Sequence, residues 1–390
     1  MIVLNQRVRN NLRCLKYWLY TKTCFACSLK TRKYLMRLEN WLYIKNRQSL
    51  SAGNLMRKLK GKLIVPLTIE QRRAIDTLWK GKKYDYGWFE FYNTLAVSST
   101  EGASYHIEWY IPDNFYYSVI DPYFNQVKEG KIIDDKNLYD LLFKGINQPH
   151  TIAHIVNGIF LDAEYHKIDK QNLSNECNRV GNVVFKPSIG TVGGKGISFW
   201  NGSKDTMAQL EETINGYKNV IVQEVVKQHQ SLSQLHPSSL QTIRIMTLYM
   251  DGETTIVSAV LRMGIGKAQV DNFTAGGIAV GVDETGKLRR YAYDKKGNRF
   301  EKHPTTDVVF EGILVPSFSE CCDIVKSLAP RLGRTQRLIS WDLSVDEKGI
   351  PVLIEANLTY GASDFHQMCN GPLFGCKSED VLKSVLSKQR

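Results

Sequence analysis

Short apolar runs separated by turn residues dominate the chain from residue 181 onward, and such runs predict β-strands. The predicted strands are 181–187, 197–200, 219–226, 242–249, 255–264, 338–343 and 350–354. Apolar positions at helical spacing predict helices over 68–79, 203–214 and 319–329. This mixture of strands and helices indicates an α+β fold.

The last two predicted strands carry polar side chains in apolar surroundings. Asp342 lies in the first of them, Glu355 and Asn357 follow the second, and the turn signal at 346–349 predicts a β-hairpin. Side chains alternate along a strand, so Glu355 and Asn357 share a face. A hairpin loop of two or four residues adds Asp342 to that face, whereas a three-residue loop places it on the opposite face.

This group of side chains has the composition of a cation site. An acid inside a buried strand is costly unless a cation neutralises it. Two carboxylates and an amide oxygen form a donor set that Mg²⁺ prefers. The alternative is an ordinary hairpin with surface acids, which we would choose for either acid alone. Because all three share this spacing, we predict a metal site formed by Asp342, Glu355 and Asn357.

A glycine-rich loop follows the predicted strand that contains Lys186. Four glycines occur among the seven residues 190–196, so backbone N–H groups there can approach an anion closely. The loop is not a P-loop, because Gly196 follows Lys195 where serine or threonine is required. A loop of this kind can cover a nucleotide, although many glycine-rich hairpins bind nothing and Lys186 alone could be a surface lysine.

Two predicted strands contain one arginine each, Arg244 and Arg262. Arginine is always charged and recognises phosphate or carboxylate with two parallel hydrogen bonds. A buried arginine needs a partner, so the pair indicates an anionic ligand. The alternative is an ion pair with an acid of the protein, which applies to Arg262 more than to Arg244.

The order of these motifs resembles that of the ATP-grasp superfamily over roughly residues 130–375. The matching elements are Phe185 to Pro187, the glycine-rich loop, Gln223 to Val226, Arg244, Arg262, Asn272 to Gly277, Asp342 and Glu355 to Asn357. Leu240 to Arg244 and the Asn-x-x-x-Gly-Gly segment resemble the sugar-transfer-associated branch, close to α-L-glutamate ligase-like proteins. That branch is associated with exopolysaccharide and capsule gene clusters. The resemblance implies an ATP-grasp fold, in which two α+β subdomains clasp ATP.

The resemblance also implies a role for each matching position, with ATP and Mg²⁺ as the bound groups. Phosphate contacts fall to Lys186, to the upstream candidate Lys136, and to Thr191, Gly193, Gly194 and Gly196 of the loop. The adenine and ribose site is formed by Gln223, Glu224, Val225 and Val226. Asp342, Glu355 and Asn357 hold the metal, while Arg244, Arg262 and Asn272 act on the transferred phosphoryl group. The segment that follows Asn357 departs from the ligase pattern, which leaves the acceptor side open.

The implied activity is ligation of a small-molecule carboxylate to an amine through an acyl-phosphate. A phosphotransferase that stops after phosphorylation is one alternative, and an inactive nucleotide-binding scaffold at the membrane is another. This chemistry requires no Ser/His/Asp or Cys/His nucleophile. Among the histidines, His366 is the one we would test as a substrate contact.

Positive charge is concentrated at the N-terminal end. Residues 1–62 contain fifteen Lys and Arg against one acid, a balance of +14 in a chain whose net charge is +12, which leaves about −2 for the rest. The near-neutral remainder gives no reason to expect nucleic acid as a partner. The basic segment is rich in aromatics and predicted to be helical, so it could lie on an anionic membrane surface, bind nucleic acid or dock on the protein itself. We favour peripheral contact with the inner face of the cell membrane.

Three domains are predicted. Residues 1–62 form the helical basic extension, 63–150 an N-terminal subdomain, and 151–390 the ATP-grasp domain, with the glycine-loop subdomain at about 180–228 and the metal-binding core at about 235–375. Eight cysteines without an even framework indicate reduced thiols and a cytoplasmic protein.

Overall fold

A computed structural model describes residues 64–82, 84–98, 106–189 and 194–387. The predicted extension at residues 1–62, together with Thr191 and Gly193 of the glycine-rich loop, lies outside this part of the chain. The described residues form an α+β fold with two antiparallel sheets, as the sequence predicts. Its α-helices are α1 (Ile69–Leu78), α2 (Tyr86–Ser98), α3 (Asp113–Phe115), α4 (Asp121–Phe124), α5 (Val127–Ile133), α6 (Tyr139–Leu142), α7 (Lys170–Val180), α8 (Met207–Asn215), α9 (Gln230–Ser233), α10 (Phe318–Leu332), α11 (Asp364–Asn370) and α12 (Ser378–Ser387).

The smaller sheet has five strands in the order β2-β1-β5-β3-β4. Helices α7 and α8 pack against it, and the apolar side chains between them include Phe185, Trp200 and Leu210. This core leaves the polar ends of β3 and β5 available for a site. The strands are β1 (Thr151–Val156), β2 (Ile159–Asp162), β3 (Asn182–Pro187), β4 (Ser198–Asn201) and β5 (Val220–Glu224).

The larger sheet has seven strands in the order β10-β9-β8-β7-β6-β11-β12. Helix α10 packs against β6, β7 and β11, and its buried side chains share a core with Ile243, Leu261 and Trp341. The opposite face carries the arginines and acids, because side chains alternate across a sheet. The strands are β6 (Thr242–Met250), β7 (Glu253–Met263), β8 (Ile278–Val282), β9 (Leu288–Asp294), β10 (Arg299–Phe300), β11 (Leu338–Val345) and β12 (Pro351–Asn357).

An aromatic core covers part of the polar face of the larger sheet. It combines Trp79, Phe89 and Tyr92 from the N-terminal helices with Phe365 of α11 and Val260 of β7. Helix α11 packs directly against β7, β8 and β9. Between α3 and α4, residues Tyr116–Ile120 form a turn of π-helix, a feature frequent near functional sites.

Local capping decides where the predicted helices begin. Thr68 forms a capping box with Gln71, so α1 begins at Ile69, within the predicted range 68–79. The predicted helix 203–214 begins later, at Met207. Thr206 and Gln209 form the capping box there. Asp205 accepts a hydrogen bond from the backbone N–H of Asn201.

The hairpin of β11 and β12 aligns Asp342 with Glu355, but its loop length differs from the expected two or four residues. Leu343 pairs with Leu353 and Val345 with Pro351, and the Asp346 N–H donates to the Ile350 carbonyl, which leaves a three-residue tip. That loop alone would send Asp342 to the wrong face. A β-bulge between the Asp342 and Leu343 pairs adds one residue and places Glu355 opposite Asp342.

Candidate active site

Asp342 is held between two arginines on the polar face of the larger sheet. Strand β6 places Arg244 directly beside it in register. Arg244 donates from Nε to Asp342 Oδ1 and from Nη2 to Oδ2, both at 2.7 Å. Arg262 of β7 adds a third bond, from Nη2 to Asp342 Oδ2 at 3.2 Å. The three side chains are buried, so this is an ion pair of the interior.

A second acid, Asp271, supports Arg262 from the loop that follows β7. Arg262 Nη2 lies 3.2 Å from Asp271 Oδ2, and the same guanidinium donates from Nε and Nη2 to the Thr242 hydroxyl at 3.1 and 2.8 Å. The Thr242 hydroxyl donates to Asp271 in turn. Arg262 therefore has the protein partners that the ion-pair alternative anticipates. Arg244 also has an acid partner, although we expected it to depend more on a ligand.

The charges of this group stabilise one another. Burial alone would raise the pKa of Asp342, but Arg244 and Arg262 outweigh it and hold the pKa at about 2. The same attraction raises the pKa of Arg244 in spite of its burial. Asn357 donates from Nδ2 to Asp342 Oδ2 at 3.3 Å and to the Ser340 carbonyl at 3.2 Å, so its amide oxygen points elsewhere.

Lys136 joins this group from the N-terminal part of the chain. It begins a 3₁₀ helix, Lys136–Leu138, whose N-cap Asp135 accepts a hydrogen bond from the Asn137 N–H. Its Nζ lies 2.8 Å from Glu355 Oε1. Burial opposes the charged amine, yet the Glu355 carboxylate raises the pKa of Lys136 above its usual value. The structure thus brings Lys136 and Glu355 together.

A cleft lies beside the bulge, between the two sheets. Leu353 and Ile354 both line it. Lys136 and Tyr139 contribute from the 3₁₀ helix and from α6. The rest of the lining comes from Gln148, Pro149, Lys186, Ile221 and Gln223. The cleft therefore has an apolar wall beside a group of lysines.

Lys186 and Gln223 present their polar ends to this cleft from adjacent strands of the smaller sheet. Lys186 donates from Nζ to Gln223 Oε1 at 2.9 Å. Burial lowers the pKa of Lys186 to about 8, with Glu355 opposing and Lys136 reinforcing the shift. A lysine with so low a pKa is poised to gain from an anionic ligand.

Other predicted site residues that the structure describes lie after β5, in the second half of the glycine-rich loop and in the segment that follows β7. The backbone N–H groups of Glu224 and Val225 donate to the carbonyls of His150 and Asn182, and Val226 continues the segment after β5. Gly194 and Gly196 have φ of 71° and 76°, values that favour glycine. A Cβ at Gly194 would contact Val270, so the described part of the loop reaches the segment that carries Asp271 and Asn272.

Sequence reasoning missed three polar residues of the site. Asp271 and Thr242 complete the arginine network, and Asp134, whose pKa burial raises to about 6, interacts with Lys136 and Glu355. Asp271 directly precedes the Asn272 motif, and this adjacency is the signal that could have identified it. Within the described residues, no group of three or more His, Cys, Asp and Glu side chains forms a metal-binding cluster. The predicted metal site therefore needs the amide oxygen of Asn357.

We predict that Asp342→Ala lowers the free energy of unfolding by about 3–5 kcal/mol, because it leaves the buried Arg244 without its carboxylate and Arg262 with Asp271 alone. The matched change Glu355→Ala is expected to lower the free energy of unfolding by roughly 1–2 kcal/mol. The Glu355 side chain is 32% exposed, and its removal leaves one lysine, Lys136, without this partner. Urea unfolding of both variants measures the difference. Equal losses would contradict the asymmetry between these two acids.

Comparison with known proteins gives the family. The profile of sugar-transfer associated ATP-grasp proteins matches residues 118–381. No curated protein matches significantly. The fold is similar to D-alanyl-alanine synthetase A from Vibrio cholerae O1 biovar eltor str. N16961, at 13% identity and a TM-score of 0.38 over 68% of this chain and 64% of that one. It is also similar to L-amino acid ligase from Bacillus licheniformis, at 14% identity and a TM-score of 0.39 over 83% and 62%.

The biotin carboxylase domain of 2-oxoglutarate carboxylase from Hydrogenobacter thermophilus, solved with MgADP, is 12% identical, with a TM-score of 0.42 over 87% of this chain and 68% of that one. The matches span less than two thirds of the synthetase and of the amino acid ligase. Family membership rests on the profile, which covers more than half of the residues, and not on these distant likenesses. The chain belongs to the sugar-transfer associated ATP-grasp family.

Proposed function

We propose that this protein is an ATP-dependent ligase that activates a carboxylate as an acyl-phosphate and joins it to an amine, in the assembly of an exopolysaccharide or capsule. The observation that carries the proposal is the convergence of two lysines with the Asp342–arginine network. Lys186 comes from the smaller sheet, and Lys136 reaches Glu355 of the larger sheet. Both lysines line one cleft, to which we assign the triphosphate.

The cleft suits a nucleotide with its base against the apolar wall. Ile221, Leu353 and Ile354 supply that wall, and the lysines lie beside it. Because the N–H groups of Glu224 and Val225 already donate to backbone carbonyls, we assign the N–H of Val226 to the adenine edge. Lys186 and Lys136 then meet the phosphates.

Mg²⁺ would be held by Asp342, Glu355 and Asn357, whose oxygens suit a hard cation. Among the contacts described, Glu355 uses Oε1 on Lys136, and the Asn357 amide bonds through Nδ2, so Glu355 Oε2 and Asn357 Oδ1 can serve as ligands. Both Asp342 oxygens accept from Arg244, and one of these bonds must open for direct coordination. The bound cation would neutralise charge on the β- and γ-phosphates.

The arginines act on the transferred group. In the first step a carboxylate oxygen forms a bond to the γ-phosphorus while the bond to the β-phosphate oxygen breaks, which releases ADP. In the second step the amine nitrogen bonds to the acyl carbon, phosphate leaves, and the nitrogen loses a proton. Arg244 and Arg262 make their described bonds through Nε and Nη2, so Nη1 of each can donate to the phosphoryl oxygens as charge develops.

We expect purified protein with ATP, Mg²⁺ and a mixture of amino acids and uronic acids to release ADP and form an amide, detected by mass spectrometry. ADP with a stable phosphorylated product would show a phosphotransferase instead. Absence of turnover would favour a scaffold that binds nucleotide without chemistry. Arg244→Lys is the matched variant, since it keeps the charge but loses the two-pronged bond to Asp342.

Nucleotide binding is predicted to take up a proton above pH 8. The Lys186 pKa of about 8 means that the amine is mostly neutral at pH 9, and bound phosphate raises its pKa. Binding therefore weakens as pH rises through 8. Calorimetry at pH 9 in two buffers of different ionisation enthalpy measures the uptake. Lys186→Met should abolish it and the exposed control Lys204→Met should not; uptake that persists without Lys186 would contradict the assignment.

We propose that the reaction takes place in the cytoplasm and that residues 1–62 contact anionic membrane peripherally. None of the described helices has the length and apolar character needed to cross a bilayer. Liposomes rich in anionic lipid should float the full chain but not a chain that lacks residues 1–62. Equal flotation of the two proteins would remove the membrane contact from the proposal.

A further inference from the structure

His366 is a buried histidine beside the arginine pair that the mechanism above does not use. It lies in α11 with no exposed surface. Its ring stacks on Phe365 at 4.8 Å between centroids, and the Arg244 Cζ lies 5.7 Å from the centre of the Phe365 ring. Burial, reinforced by Arg244 and Arg262, lowers the pKa of His366 to about 3, so the imidazole is neutral at physiological pH.

A chain of hydrogen bonds favours one tautomer of His366. Arg289 donates from Nε to Asn370 Oδ1 at 3.0 Å, and Asn370 donates from Nδ2 to the Ala259 carbonyl at 2.8 Å. These two bonds set the orientation of the amide. A flipped amide would place its nitrogen against the Arg289 donor and its oxygen against the Ala259 carbonyl oxygen. Asn370 Nδ2 also donates to Ser258 Oγ at 2.9 Å.

Ser258 links Asn370 to the imidazole of His366 by hydrogen bonds. Its hydroxyl oxygen accepts from Asn370, and His366 Nδ1, 2.9 Å away, is the acceptor within reach of the hydroxyl proton among the contacts described. A neutral imidazole that accepts at Nδ1 carries its proton on Nε2. Nε2 is buried and has no hydrogen-bond partner among the described residues. A buried donor without a partner costs about 1–3 kcal/mol unless a ligand or water satisfies it.

The register of the larger sheet places His366 at the end of the site away from the nucleotide lysines. Glu355, Asp342, Arg244 and Val260 occupy one row across β12, β11, β6 and β7. Three interstrand spacings make this row about 14 Å long. Lys136 marks its β12 end, and His366 bonds to Ser258, two residues along β7 from Val260. The phosphates and His366 therefore approach the arginines from opposite ends.

We infer that His366 binds the substrate carboxylate: its Nε2–H donates to the oxygen that becomes the acyl-phosphate carbonyl, while the other carboxylate oxygen attacks the γ-phosphorus. This inference rests on the proposed ligase function. A neutral donor suits that oxygen, since it holds a charged carboxylate without adding to the positive field of the arginines. The transferred phosphoryl group, which carries more charge, lies with Arg244 and Arg262.

Two substitutions separate substrate binding from a structural role. His366→Gln keeps a donor near the Nε2 position, whereas His366→Asn keeps the contact to Ser258 and loses the donor. We expect His366→Asn to lower carboxylate-dependent ADP release at least about tenfold with unchanged ATP affinity, and His366→Gln to retain most of it. A purely structural histidine would give the reverse order and would overturn the assignment.

Nitrogen-15 spectra of histidine-labelled protein test the same inference without turnover. With Mg²⁺ and a non-hydrolysable ATP analogue, the spectra should show His366 protonated on Nε2 from pH 6 to pH 9. Acetate should shift that signal and inorganic phosphate should not. A proton on Nδ1, or a response to phosphate alone, would overturn the carboxylate assignment. A preserved acetate shift in a protein that never releases ADP would refute the ligase function but leave His366 as a carboxylate site.

Discussion

The burial of Asp342 in the middle of the larger sheet is the constraint from which the rest of the site follows. A carboxylate there requires Arg244 and Arg262, and Arg262 in turn requires Asp271. The same compensation recurs at the edge of the sheet, where Glu355 holds Lys136. In and around the site, four cationic side chains thus accompany four acidic ones: Arg244, Arg262, Lys136 and Lys186 with Asp342, Asp271, Glu355 and Asp134. The protein balances its own charges before any ligand binds.

That balance has a consequence for the nucleotide. A free triphosphate would bring about four negative charges into a site with no net positive charge to meet them. A triphosphate that carries its own divalent cations adds far less charge, so a near-neutral site suits a metal–nucleotide complex better than the free anion. In the proposed reaction the arginines would contribute through the fixed direction of their donors more than through net charge.

The sequence predicted the α+β class, the main strands and the residues of the polar face, because apolar runs and embedded charges are local signals. It could not reveal that Arg244 is paired within the protein, since the pairing depends on the register of β6 beside β11. The spacing of thirteen positions between Asp342 and Glu355 was informative for a reason other than the one expected. An even loop, or an odd loop with one bulge, gives the same alignment, and the sequence contains no signal that separates them.

The bulge at Ile354 joins two properties that are usually separable. It aligns the acids that would hold the metal, and it lies at Leu353 and Ile354, which line the cleft where the base would lie. In the proposed enzyme, nucleobase preference and phosphoryl chemistry therefore both depend on this bulge. A homologue without the bulge would lose the metal alignment and the base-binding wall together. Natural variation in base selectivity should therefore arise from the opposite wall of the cleft, at Ile221 or Pro149.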